Sequence, residues 1–256
     1  MLLAVDIGNT NITIGLFSNE QLKHTFRCES AHARSPDEYA ILFSQMLTSW
    51  GLSQKQLTAV IIASVVPPLT DTIAEATKIS CGQIALVVGP GTKTGISVRY
   101  ENPHEVGADR VVNAVAAFER VKGGAIVVDF GTATTFDCVS PKGEYLGGVI
   151  APGIRVSLEA LLGKAAKLRP IEIVAPPTVL GRNSAQSMQS GVVHGYAALV
   201  DGLVEKLRAE LSFPCAVLAT GGLAPLIAGH AKSIEAVDPE LTLQGLRLVY
   251  ERNRKA

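Results

Sequence analysis

Residues 4–13 read AVDIGNTNIT. An apolar run carries an aspartate at its heart, and Gly, Asn, Thr and Asn fill four of the five positions after it. Met1 to Val5 have the make-up of a buried strand, and Ile12 to Phe17 (ITIGLF) resume as another. Asp6 to Asn11 are therefore expected at a strand-to-strand turn, where Gly8 supplies backbone freedom. A hairpin with a turn-favouring aspartate explains this much by itself.

A second stretch changes the reading. IVVDFGTATTFDCV, residues 126–139, again has an apolar strand, then Asp, one apolar residue, Gly and a small polar residue, then another strand. Asp6-Ile7-Gly8-Asn9-Thr10 corresponds to Asp129-Phe130-Gly131-Thr132-Ala133, almost half the chain further on. An internal repeat of this kind predicts two similar structural units. A decorative turn has little reason to recur with its acid and glycine at the same offsets. The chemistry that needs this pattern is a phosphate clamp. Glycine lets backbone N–H groups approach an anion, and Thr and Asn add neutral donors. An aspartate would repel phosphate unless a cation stood between them. Two such hairpins facing across a cleft would grip a polyphosphate. A third glycine cluster, Gly221-Gly222, follows the apolar run AVLAT (216–220). It reads either as a simple strand-to-helix turn or as a flat backbone surface for a ring or phosphate.

The whole chain limits the alternatives. Its 256 residues suffice for one large domain or two of roughly half that length. Hydrophobic residues make up 47% and charged residues 18%, a globular composition. Lys plus Arg equals Asp plus Glu at 23 each, so no bulk attraction to nucleic acid or anionic lipid is expected. No basic segment precedes the first apolar run, and the longest apolar stretches fall far short of the ~18 residues of a membrane helix. Cys28, Cys81, Cys138 and Cys215 are scattered without a CxxC, as reduced thiols of a cytoplasmic protein would be. The five histidines show no metal-ligand spacing. GPGTKTG (89–95) resembles a phosphate loop, but Thr92 precedes Lys93 and ISVRY follows as a strand, so it reads as a turn.

Between the hairpins the chain alternates strands and helices, the pattern of an α/β fold. Ser35-Pro36 caps a helix that Gly51 ends. LTAVIIASVV (57–66) is a strand stopped by Pro67-Pro68, followed by a helix over 70–79, strands at 84–88 and 96–100, and a helix over 106–121. The second half continues with strands, a long helix from Asn183 to about Leu211, the strand AVLAT, a short helix, the strand SIEAV and a helix over 240–252. A boundary near 115–123 divides the chain into domains 1–118 and 119–256.

Asp6-Ile7-Gly8-Asn9-Thr10, Gly107-Ala108-Asp109-Arg110, Asp129-Phe130-Gly131-Thr132 and Gly221-Gly222, in this order and over the whole chain, resemble the type III pantothenate kinases. That family belongs to the acetate and sugar kinase, Hsp70 and actin superfamily. The resemblance implies two ribonuclease-H-like (actin-like ATPase) domains with a cleft between them, a homodimer, and ATP-dependent phosphorylation of pantothenate to 4'-phosphopantothenate, the first step of coenzyme A biosynthesis. It implies magnesium and a monovalent cation, potassium or ammonium, as cofactors. By position, Asp6, Ile7, Gly8, Asn9, Thr10, Asn11, Ile12 and Thr13 would line the ATP phosphates, Asp6 holding magnesium through water. Thr132 would bind ATP, with Gly221 and Gly222 on its adenosine side, and Asp129 would hold the monovalent cation. Tyr100, Gly107, Ala108, Asp109 and Arg110 would bind pantothenate, with Asp109 accepting the hydroxyl proton. The family's Gly-x-Asn-Thr segment reads Gly181-Arg182-Asn183-Ser184 here, so Ser184 would contact substrate with a methyl fewer.

Asp109 also has a plainer reading, as an acid favourably placed at a helix start, and Arg110 as a surface charge. With a pKa near ~3.9 an aspartate is a weak base for an alcohol. It suffices where the transition state is loose and the proton leaves late. Two rival functions remain at this stage: a phosphatase of the same superfamily, and a regulatory protein of the kind named as accessory to transcription.

Overall fold

The computed structural model describes residues 1–254. Two units emerge, each built on one sheet. The first opens with β1 (Leu2–Ile7), β2 (Asn11–Ser18) and β3 (Gln21–Glu29), an antiparallel meander. Helix α1 (Pro36–Ser49) follows, and then β4 (Ala59–Ser64), which pairs with β1 in parallel. Helix α2 (Pro67–Cys81) leads to the short edge strand β5 (Leu86–Val87). The sheet order is β3-β2-β1-β4-β5. The central strands are covered on both faces, which is why LLAVDI and AVIIAS read as continuous apolar runs. Leu3, Val5 and Ile7 pack with Ile12 and Ile14 against Tyr39 and Phe43 of α1 and Ile73 of α2.

The start of α1 follows its sequence signal. The Ser35 side chain accepts from the Glu38 N–H, the Glu38 carboxylate accepts from the Ser35 N–H, and Pro36 stands in the first turn. Pro67-Pro68 do more than stop a strand. They open α2, because proline fits a first helical turn whose N–H groups have no helical partner.

A two-residue strand, β6 (Ser97–Val98), leads to α3 (Ala108–Val121). The second unit then repeats the plan with β7 (Gly124–Phe130), β8 (Ala133–Val139) and β9 (Glu144–Pro152) as a meander. Helices α4 (Ile154–Lys164) and α5 (Ser184–Leu211) precede β10 (Cys215–Thr220), which pairs with β7 in parallel. Helix α6 (Ala224–Ala228) and β11 (Ala236–Val237) follow, giving the order β11-β10-β7-β8-β9-β6. Without β6, this is the first sheet's order read from its other edge. The repeat seen in two turns thus extends to whole sheets. Helix α4 has no counterpart in the sequence-based expectation.

The last helix, α7 (Leu241–Asn253), corrects the expected 1–118/119–256 division. The first unit comprises residues 1–97 and 101–116 together with the stretch from Leu241, and the second comprises 98–100 and 117–240. Two glycines explain why α7 joins the first unit. A Cβ on Gly245 would lie 2.0 Å from the Val112 carbonyl oxygen, so α7 and α3 touch backbone to backbone. A Cβ on Gly15 of β2 would meet the Leu243 side chain at 2.9 Å. Residues 98–100 join the second unit because the Arg99 N–H donates to the Tyr145 carbonyl at 2.8 Å.

Candidate active site

In the first hairpin β1 continues through Asp6 and Ile7, two residues beyond its expected end, with Asp6 opposite Thr13 and Ile7 opposite Ile12. The turn proper is Gly8-Asn9-Thr10, closed by the Gly8 N–H donating to the Asn11 carbonyl at 3.0 Å. Asn9, Thr10 and Asn11 are exposed, as ligand donors should be. Ile7 and Ile12 are fully buried and paired with each other in the sheet, so they shape the turn from beneath. Strand alternation turns Asp6 away from Ile7 and the core it faces. Sequence reasoning missed Ser30. Its hydroxyl donates to the Gly8 carbonyl at 2.6 Å and its N–H to the Thr10 carbonyl at 3.0 Å, clamping both sides of the turn. Tyr39 braces the same segment by accepting from the Ala31 N–H at 2.9 Å. No local pattern marks Ser30, since its partners lie about twenty residues away.

The second hairpin is tighter. Asp129 stands opposite Thr135, and Gly131-Thr132 form a two-residue turn closed by the Gly131 N–H donating to the Ala133 carbonyl at 3.0 Å. Thr132 is exposed. Its carbonyl accepts from the N–H of Gly153, the N-cap of α4, at 3.1 Å. Gly221, at φ +92°, lies so close that a Cβ there would be 2.6 Å from Asp129 Oδ1 and 2.7 Å from the Phe130 backbone. Asp129, Thr132 and Gly221 therefore share one corner of the second unit. Gly222 beside them is exposed.

Gly107, Ala108, Asp109 and Arg110 form the start of α3. A Cβ on Gly107 would lie 2.4 Å from Asp109 Oδ1 and 3.1 Å from Val65 Cγ1, so only glycine leaves the carboxylate its place. The Val65 N–H donates to the Ile7 carbonyl at 3.1 Å, which sets this group beside the carboxyl end of β1 and the first hairpin. Ligands of α/β sheets collect at such strand ends. Burial pushes the Asp109 carboxyl above the ordinary carboxylate range, against the pull of the Arg110 N–H, which donates to Oδ1 at 2.7 Å, and of the Arg110 guanidinium. The residue is thus a better base than an ordinary aspartate. Arg110 is 8% exposed, which removes its reading as a surface charge.

Tyr100 falls in the second unit, half-buried with its ring against Tyr145. Ser184 is exposed, at the first position of α5, where Asn183 caps by accepting from the Gln186 N–H at 2.9 Å. It lines a groove of about 710 Å³ between α4 and α5, together with Ser157, Leu161, Leu168, Met188 and Tyr196.

Among the described residues no three His, Cys, Asp or Glu side chains converge as a metal cage. Single half-buried acids at strand ends, Asp6 and Asp129, instead fit cations that take one or two carboxylates and complete their shell with water and phosphate oxygens.

The type III pantothenate kinase family matches residues 2–206. The chain belongs to the type III pantothenate kinase family. A type III pantothenate kinase of Anaeromyxobacter sp. (strain K) is 54% identical over 254 residues, which cover 99% of this chain and 100% of that protein. Two solved structures share the fold. One, from Campylobacter jejuni, described as a Baf family transcriptional activator, has a TM-score of 0.61 at 18% identity, covering 98% of each chain. The other, from Sinorhizobium meliloti and described as a 2-dehydro-3-deoxygalactonokinase, has a TM-score of 0.59 at 12% identity, covering 98% of this chain and 96% of that one. The fold is that of the actin-like ATPases and sugar kinases, with two sheet-based units, and the protein is a kinase.

Proposed function

We propose that the kinase transfers the γ-phosphoryl group of ATP to the hydroxyl of pantothenate, giving 4'-phosphopantothenate at the entry to coenzyme A synthesis. The observation that carries this is Asp109, a half-buried carboxylate seated on Gly107 beside the first hairpin. The exposed amides and side chains of Asn9 to Asn11 supply donors for the ATP phosphates, and Thr132 adds one in the second unit. Gly221 and Gly222 offer backbone to the adenosine side. Asp6 would hold magnesium through water and Asp129 a potassium or ammonium ion, which when bound neutralise phosphate oxygens. Asp109 orients the hydroxyl and receives its proton as the new bond forms. Its raised pKa makes it a stronger base in that step. Arg110 and Tyr100 hold the substrate, Arg110 by opposing the pantothenate carboxylate. The family's activity favours neither a phosphatase nor a transcription accessory.

The test is an ATP-coupled assay with and without pantothenate, in potassium and in sodium-only buffer. Phosphorylated pantothenate formed faster in potassium is expected. Free phosphate alone would mean hydrolysis, and equal rates in the two buffers would remove the monovalent cation. Asp109→Asn should lower kcat by about 10²–10⁴-fold while ATP still binds. The same variant should be more stable than the parent at pH 7–8. An acid whose folded pKa is raised weakens the fold above that pKa, and the penalty vanishes below the unfolded value of about 3.9. Thermal melts across pH should show the gain shrinking toward acid. Activity of the parent should fall on acidification at a higher pH than an ordinary carboxylate would impose.

We also infer a homodimer formed along α5. The core takes the stripe Val193, Ala197, Val200 and Val204, whereas Tyr196, Leu199, Leu203 and Leu207 are only partly buried. Leu161 and Leu180 of the same unit are 46% and 75% exposed. A two-fold partner would cover such a surface and bring Ser184 toward a shared substrate site. Light scattering should give an active particle of twice 26.9 kDa, and an active monomer would sink the idea. The cytoplasm is the compartment we infer, consistent with four free cysteines.

A further inference from the structure

On the face of the second sheet that turns away from α4 to α6, a buried polar pair stands where apolar side chains would be cheaper. Ile126, Val128, Phe130, Phe136 and Cys138 supply the face packed into the core cluster with α4, α5 and α6. Strand alternation sends Asp129, Thr135 and Asp137 to the other face, with Thr135 directly opposite Asp129. Asp137 is 0% exposed. Its Oδ1 accepts from the Tyr145 hydroxyl at 2.9 Å, and its Oδ2 accepts from the Thr135 hydroxyl at 3.2 Å. Tyr145, on β9, is also fully buried. A carboxylate taken wholly out of water costs several kcal/mol unless hydrogen bonds compensate, and an apolar pair of similar volume carries no such cost.

The ring of Tyr145 does have an outward contact. Tyr100 leans on it with ring centroids 6.3 Å apart and a tilt of 56°. Tyr100 also lies over Gly147, whose φ of +120° suits glycine and where a Cβ would be 3.4 Å from the Tyr100 ring. The strand before it is tethered by the Arg99 N–H on the Tyr145 carbonyl and by the Arg99 side chain on Glu144 at 2.9 Å. Tyr100 is thus seated by two neighbours, and the angle of one of them is fixed by Asp137.

We propose that Asp137 and Tyr145 are positioning residues for the substrate. The Asp137–Tyr145 hydrogen bond sets the plane of Tyr145, and that plane sets the ring of Tyr100 against pantothenate. The same acid, through Thr135, ties this seat to the strand step that carries Asp129. The inference rests on the reading of Tyr100 as a pantothenate contact.

Steady-state kinetics on four variants of the full chain test it. Tyr100→Ala should raise the pantothenate KM by about tenfold or more, the effect of losing a packed aromatic contact. Tyr145→Phe keeps the ring and loses only the hydroxyl. It should raise the pantothenate KM about threefold to tenfold, the worth of one hydrogen bond, with the ATP KM and kcat within about twofold. In the Tyr100→Ala background Tyr145→Phe should add nothing, because its route is gone. Asp137→Leu should shift the pantothenate KM as Tyr145→Phe does, and it should also lower the melting temperature, because it leaves the Tyr145 and Thr135 hydroxyls without their acceptor. A purely structural acid would lower the melting temperature and spare the KM. If Tyr100→Ala leaves the pantothenate KM unchanged, the reading of Tyr100 fails. If Tyr100→Ala raises it and Tyr145→Phe does not, or if the two add independently, the positioning role is overturned. Failure of Tyr145→Phe or Asp137→Leu to fold would likewise assign the pair to stability and overturn it.

Discussion

The two hairpins follow one structural plan with different parts. Each sets an aspartate opposite a threonine at the end of a central strand, Asp6 to Thr13 and Asp129 to Thr135. Each closes its turn through a glycine N–H. In each, a turn carbonyl, Thr10 or Thr132, accepts from the first N–H after the third strand, that of Ser30 or Gly153. The first turn is one residue longer and is clamped by a side chain, the Ser30 hydroxyl on Gly8. The second is held by backbone packed on backbone, at Gly153 and Gly221. Two kinds of glycine are therefore present. Gly153 and Gly221 are demanded by the protein's own packing. Gly131 is not, for a Cβ there would meet nothing closer than the Ala133 carbonyl at 3.6 Å and Asp129 Oδ1 at 3.8 Å.

That difference can be broken at three points. Gly153→Ala should do the most damage. Its Cβ would sit 2.1 Å from the Thr132 carbonyl oxygen and 2.7 Å from that of Gly131, and neither backbone can yield cheaply. A loss of about 3 kcal/mol or more, seen as a fall in Tm of roughly 6–12 °C, is expected. A melt unchanged within error would show that the turn rearranges freely. Gly131→Ala should behave oppositely. Its Tm should stay within about 2 °C of the parent, while the ATP KM rises about tenfold because the methyl fills the anion's approach. An unchanged ATP KM would deny the second turn a part in phosphate binding. Ser30→Ala should be the mildest. Losing one hydrogen bond to a carbonyl costs about 1 kcal/mol, or a Tm fall of about 2–4 °C. The ATP KM should rise a few-fold with the pantothenate KM untouched. Equal change in both would make Ser30 a general support of the fold.

The contrast also marks what a sequence can reveal. The hairpin repeat was legible because acid and glycine recur at fixed offsets on apolar strands. The cap of α1 was legible because Ser35, Pro36 and Glu38 are local signals. Helix α4 was not, since Gly153 is its N-cap and its apolar residues continue the strand before it. Strands β5 and β6 shrank to two residues each, for edge strands gain little from an apolar run. At the site, Asp109 was singled out and its glycine neighbour with it, but the shift in its pKa was not, because burial is a property of the folded neighbourhood. Ser30, Asp137 and Tyr145 were missed for one reason. Their importance lies in partners far along the chain or across strands, and no window of sequence contains both ends.

The return of α7 to the first sheet bears on how the molecule is made. All of residues 117–240 leave the ribosome between two parts of the first unit. The second unit can complete its sheet as soon as β11 has emerged, whereas the first must wait with Gly15 and Val112 uncovered until Leu243 and Gly245 arrive. Synthesis therefore passes through a stage in which the later-made unit is whole and the earlier-made one is open. A chaperone bound during translation would find its exposed apolar surface at the N-terminal end.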